Sequence, residues 1–259
     1  MTTLLLRGHR TWAKIPARGR PAVILLHGAM SSSRSLLRSI GPGLSKWYHV
    51  GAFDRRGHGR TGDTSAPFSY EDMAEETVAF LDFLGRRVHL VGHSDGANVA
   101  LLVARQRPDL LKRMVVVGAN YHFSGLIEFT PLDARGSDFD QWAIKYGALA
   151  PEGITHAARV LAKTNELLAT GPTMTLEELR TILVPTLVMA GDDDVATFEH
   201  TASLFEALPH AQLAIVPGTS HALLKERTSE SVRIIRHFLR SELPAVTLSP
   251  VRRRGEAPK

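Results

Sequence analysis

Apolar residues along the chain fall into two rhythms. Short aliphatic runs recur at residues 22–26 (AVILL), 49–53 (HVGAF), 87–91 (RVHLV), 113–117 (RMVVV), 186–190 (TLVMA) and 212–216 (QLAIV), and segments of helical period separate them. Near-continuous apolar strands alternating with helices predict a parallel sheet covered on both faces. Residues 3–6 and 11–14 precede the first run and are expected to pair as antiparallel edge strands. Helix ends are marked as well. Ser69 with Glu71 and Asp72 resembles a capping box, and Gly85 closes the helix that follows. Residues 97–104 are apolar almost all round, as in a helix buried at the centre of a fold, and Pro108 stops it. Near the end, Val232, Ile235 and Leu239 draw a one-sided stripe.

The rhythm breaks between Ala119 and Leu183, where the chain is rich in Gly, Pro, Thr and charge. Helical pieces are expected near residues 156–168 and 175–183. So long a stretch without a sheet strand predicts a helical insertion rather than a loop, read here as a lid over the carboxyl edge of the sheet. The expected organisation is an α/β core of residues 1–120 and 183–240, a helical lid of 121–182 after the sixth strand, and a tail of 241–259.

Composition narrows the function classes. At 259 residues, 44% hydrophobic and 22% charged, the chain suits one large soluble core. No apolar run approaches the roughly 20 residues that span a bilayer. The three leucines of the opening MTTLLLRGHR are too few for a signal peptide, so a cytoplasmic location without a membrane partner is expected. The absence of cysteine removes disulfides, thiolate metal sites and cysteine nucleophiles. Residues 250–259 hold four basic residues and one acid, and so supply three of the five net positive charges. A near-neutral body with a basic end predicts a disordered tail. It does not predict a nucleic-acid surface, because no aromatic-interleaved basic patch accompanies the charge.

Candidate chemistry gathers in the loops that follow strands. Gly92-His93-Ser94-Asp95-Gly96 follows residues 87–91 and precedes the buried helix, the strand–turn–helix setting of a nucleophile elbow. There the Ser94 hydroxyl is expected to stand above the sheet edge, but it needs a neighbouring base to become a nucleophile. Downstream, one strand runs into Gly191-Asp192-Asp193-Asp194 and the last into Pro217-Gly218-Thr219-Ser220-His221, both at carboxyl ends. Of twelve histidines, His221 alone combines the right loop, strand and chain position; His200 and His210 are expected to flank a surface helix, His237 to be solvated and His156 to lie in the lid. Any of the three aspartates can serve as the acid, as a helix N-cap or as a solvated loop residue. Oxyanion donors are expected from the amide of Asp95 and from Ala29 in His27-Gly28-Ala29-Met30. The stretch 54–60 (DRRGHGR) is read as a structural turn whose aspartate and arginines tie neighbouring loops. The aspartate run lacks partners at ligand spacing, and neither metal nor cofactor is expected.

Taken in order, the blocks at residues 27–29, 54–59, 92–96, 191–194 and 218–221 resemble the α/β-hydrolase superfamily, from about residue 3 to 239. The resemblance implies the α/β-hydrolase fold, a mostly parallel doubly wound sheet with an inserted lid. It also implies a Ser94–Asp194–His221 triad, its spacing favouring Asp194 over Asp193. A narrower likeness, to valacyclovir-hydrolase-like (biphenyl-hydrolase-like) proteins, rests on Ser94-Asp95-Gly96 and Val117-Gly118-Ala119-Asn120. Haloalkane dehalogenases and epoxide hydrolases of this fold carry aspartate where this chain has serine. The implied activity is hydrolysis of small carboxylic esters through an acyl-enzyme, without a cofactor. By Coulomb attraction, the Asp95 side chain beside the nucleophile predicts a preference for amino-bearing esters. Two other outcomes of the same fold are a triad-retaining small-molecule receptor and a cofactor-free lyase or perhydrolase. A lyase would call on a lysine or threonine in the lid pocket, and Lys145 and Lys163 lie in the lid. Phe123, Phe129, Trp142 and Tyr146 are the aromatic residues expected in the lid.

Overall fold

The computed structural model describes residues 1–127, 133–241 and 247–249. The expected edge hairpin is present as β1 (Thr2–Leu6) and β2 (His9–Lys14), which pair antiparallel. Its two-residue turn places Arg7 and Gly8 at φ of 47° and 78°, the primed geometry that matches strand twist. The aliphatic runs follow as β3 (Ala22–Leu26), β4 (His49–Phe53), β5 (Val88–His93), β6 (Leu111–Val117), β7 (Thr186–Asp193) and β8 (Ala211–Ser220). All eight join one sheet in the order β1-β2-β4-β3-β5-β6-β7-β8, parallel from β4 onward.

Strand β3 explains why these runs are apolar on every residue. Ala22, Ile24 and Leu26 enter one core, whereas Val23 and Leu25 enter the core on the opposite face. A period of two with both faces covered leaves no position for a polar side chain. The first face is covered by α3 (Tyr70–Leu84), α4 (Asp95–Gln106) and α8 (Phe198–Ala207). The second is covered by α1 (Ser33–Arg38), α2 (Gly41–Ser45), α9 (Leu223–Glu226) and α10 (Thr228–Arg240). Ser69 caps α3 by accepting from the Asp72 amide at 3.0 Å, and Gly85 ends it in the left-handed region.

The chain crosses from β4 back over β3 to begin β5, so strand order reverses between β3 and β5. Loops leaving those two strands diverge and open a crevice at the carboxyl edge of the sheet. Between β6 and β7 lie α5 (Ser137–Gly147), α6 (Ala157–Thr170) and α7 (Leu176–Arg180). Helices α5 and α6 bury a small core of their own around Ala143, Tyr146, Ala150, Ala157 and Val160. Helix α5 lies outside the helical pieces expected at residues 156–168 and 175–183, although Phe139, Trp142, Ala143 and Tyr146 carry helical spacing. Phe129 and residues 250–259 lie outside the described residues. Among the described residues, no helix is long and apolar enough to cross a membrane.

Candidate active site

Ser94 sits between β5 and α4 with φ 56° and ψ −126°, a conformation an L-residue rarely adopts. The turn is possible because its flanks carry no side chain. A Cβ at Gly92 would lie 2.1 Å from the Gly96 carbonyl oxygen, and one at Gly96 would lie 2.2 Å from that of Leu26. Three backbone bonds hold the strained residue: its amide donates to Val117 O at 2.8 Å, and its carbonyl accepts from Ala97 and Asn98 at 2.7 and 3.1 Å. The next amide, that of Asp95, opens α4, where helix geometry leaves N–H groups without an intrahelical partner.

The end of β8 delivers His221, and the end of β7 delivers the aspartates. His221 Nδ1 and Asp194 Oδ1 are 2.6 Å apart. Amides of Val195 and Gly191 also donate to the Asp194 carboxylate, at 2.8 and 3.3 Å. Burial works against its charge, but the His221 hydrogen bond and charge, with those two amides, prevail and hold the carboxyl below its ordinary range. Asp192 instead accepts from the Thr219 amide at 3.0 Å, and Asp193 is exposed. Two groups outside the expected set position the imidazole. His93 Nε2 donates to the His221 carbonyl at 2.8 Å; burial first, then the nearby His221, depress its pKa to about 4 and leave it neutral near pH 7. Gly118, at φ 59°, lies under the ring, where a Cβ would come within 2.8 Å of His221 Nδ1 and Cε1.

The loop after β3 is braced from below. The Arg55 amide donates to His27 Nε2 at 3.2 Å, which leaves Nδ1 as the protonated nitrogen, donating to Gly28 O at 2.8 Å. Burial, then the charge of Arg55, holds His27 neutral. The fully buried Arg55 guanidinium reaches the carbonyls of His27 and Gly28. Asp54 accepts from the Ser33 amide at 2.8 Å and from Arg60 Nε at 2.7 Å. From above, Trp142 Nε1 donates to the carbonyl of Met30 at 2.7 Å, and Met30 is itself held at φ 50°.

Ser94 and His221 line one cavity of about 370 Å³, together with Gly28, Ala29, Met30 and His93. The side chain of Asp95 does not reach it. That carboxylate is 2% exposed and accepts from the Tyr70 hydroxyl at 2.8 Å, with burial pushing its pKa up against the pull of Arg55. The expected attraction for ammonium groups therefore has no cavity-facing charge behind it. Lys163 is also engaged elsewhere, on Asp63 at 2.8 and 2.9 Å, while Lys145 is exposed at the rim of a second cavity. His200 is buried and stacked on Tyr121 at 3.9 Å rather than placed at the surface. Among the described residues, no group of three or more His, Asp or Glu side chains is arranged to hold a metal ion.

A sequence model described as alpha/beta hydrolase family matches residues 23–233. The chain belongs to the alpha/beta hydrolase family. Among curated relatives, this alpha/beta hydrolase is 30% identical over 226 residues to "Putative carbamate hydrolase RutD" of Pseudomonas savastanoi pv. phaseolicola, covering 78% of this chain and 87% of that one. It is 28% identical over 240 residues to the serine hydrolase BPHL of Mus musculus, covering 85% and 80%. A meta-cleavage product hydrolase from Pseudomonas fluorescens superposes with a TM-score of 0.72 at 22% identity, over 92% of this chain and 97% of that one, a likeness of fold.

Proposed function

We propose that this alpha/beta hydrolase cleaves small carboxylic esters through an acyl-enzyme, with Ser94 as nucleophile, His221 as base and Asp194 as the acid that orients it. The observation that carries the reading is the 2.6 Å contact of His221 Nδ1 with Asp194, on a ring that lines the same cavity as Ser94. With Nδ1–H donated to the carboxylate, Nε2 of His221 keeps a lone pair to accept the serine proton.

Ser94 Oγ forms a bond to the ester carbonyl carbon as its proton passes to His221 Nε2. The carbonyl electron pair moves onto oxygen, where the amides of Ala29 and Asp95 receive it. Preorganised donors of this kind are worth about 3–4 kcal/mol each. On collapse the alkoxide leaves and takes the proton from the imidazolium. Water then attacks the acyl carbon, His221 accepts its proton, and the carboxylic acid departs as that proton returns to Ser94. Removing the nucleophile of such a triad costs several orders of magnitude. Ser94→Ala is expected to lower kcat on an aryl ester by at least about 10⁴-fold in purified protein; undiminished turnover refutes the reading.

A further inference from the structure

Outside the Ser94 cavity lies a larger one of about 670 Å³, and the two share Met30, Ser31, Ser35 and Lys225 as walls. Its charged lining is one-sided. Arg34 and Arg38 stand one turn apart on α1, Lys145 projects from α5 and Lys225 from α9, against a single carboxylate, Asp138. Among the described residues, no acidic residue lines the inner cavity, and its one charged residue of fixed sign is again Lys225.

Several arginines elsewhere on the molecule are placed differently. Arg7, Arg56, Arg60, Arg105 and Arg107 each hold at least one carboxylate within 3.1 Å. Among the described residues, neither an ion-pair nor a hydrogen-bond partner is found for the side chains of Arg34, Arg38, Lys145 or Lys225. Like charges brought together from three elements repel one another, and a bound anion relieves that repulsion. The hydroxyls of Ser31, Ser32 and Ser35 add neutral donors to the same wall.

We propose that this outer cavity is a carboxylate subsite, and that the substrate is an ester whose acyl chain carries a second, free carboxylate several bonds from the scissile carbonyl. Of the four cations only Lys225 also lines the inner cavity, so the carboxylate projects past Met30 into the outer one, and the half-esters of dicarboxylic acids fit that description. The inference rests on the ester-hydrolase reading of the inner site.

Three methyl esters of one chain length test it by pH-stat with the full chain: monomethyl adipate, the uncharged methyl alkanoate, and the methyl ester of the ω-amino acid. At low salt kcat/KM is expected to be about 10-fold higher for the half-ester than for the neutral ester, with the ammonium ester lowest. That ratio should approach one at about 1 M salt, where the screening length is near 3 Å. Arg34→Gln with Lys145→Gln should lower the ratio several-fold; if the double variant fails to fold, the salt series on the unaltered protein decides. A neutral or ammonium ester equal to or better than the half-ester overturns the subsite while leaving the ester chemistry intact. No turnover of any of the three, nor of an aryl ester, sinks the underlying reading instead.

Discussion

Three adjacent aspartates lie at the end of β7, the third just past it, and each meets a different neighbour: Asp192 takes the Thr219 amide, Asp193 faces solvent, and Asp194 takes the His221 ring. Asp194→Asn keeps the shape but favours the wrong tautomer, and kcat on an aryl ester is expected to fall about 10⁴-fold. Asp193→Asn should stay within about twofold, since surface changes away from partners cost little. Equal losses in the two variants would move the acid role away from Asp194. Which aspartate turns inward is not legible in a run of three identical residues; only spacing relative to a known family pointed to the third. Ser94 was legible because its strain is local, written into Gly92 and Gly96. Arg55, His93, Gly118 and Trp142 were not, because each owes its part to a contact made far away in sequence. Nothing in the Arg55-Arg56 pair tells which guanidinium goes under the β3 loop and which pairs with Glu76 at 2.7 Å.

At the scale of elements, the insertion between β6 and β7 is fastened to the core by a small ionic cluster. Asp63, with 2% of its side chain exposed, receives Lys163 of α6 at 2.8 Å and lies 2.8 Å from His156 Nε2. The side chain of Lys163 is 9% exposed, so removing its partner strands a nearly buried cation. Asp63→Ala is expected to cost about 3–5 kcal/mol in chemical denaturation, most of it regained in Asp63→Ala with Lys163→Met. A loss below about 1 kcal/mol would show that the insertion is held by its apolar contacts alone. Helix α6 was readable from its period. The capping box of α7, in which Thr175 and Glu178 satisfy one another's amides, was also present in the letters. The lysine that a lyase reading would place in the pocket could not be resolved from sequence, because a helical period fixes a face and not the partner across it.

For the molecule as a whole, burial of imidazole is a recurring cost. His58, His89, His93 and His200 all have pKa values depressed from 6.5 to about 4, in each case chiefly by burial. Their neutral forms belong to the folded state, while the unfolded chain takes up protons from pH 6.5 downward. Between those two values the unfolded state binds more protons, so stability falls as the pH is lowered, and below about 4 these groups add no further loss. Each fully buried group of this kind contributes up to about 1.4 kcal/mol per pH unit. Lowering pH from 7 to 5 is therefore expected to reduce Tm by about 10 °C, followed by circular dichroism. A Tm flat across that range would mean that the imidazoles are protonated as readily in the fold as out of it. Sheet content was legible because both faces are covered, whereas the switch between β3 and β5, which opens the crevice, is a property of strand order that no single strand carries.

The indole of Trp142 has a consequence for how the mouth can open. Its N–H clasps the carbonyl of Met30, next in sequence to Ala29, so helix α5 and the β3 loop share a fastening. In the proposed ester hydrolysis, swinging the helix aside to admit a bulky substrate breaks that clasp and frees the loop to which the proposal assigns an oxyanion donor. On that proposal, access and transition-state support trade against each other across one bond, and a substrate threading in without shifting α5 keeps both.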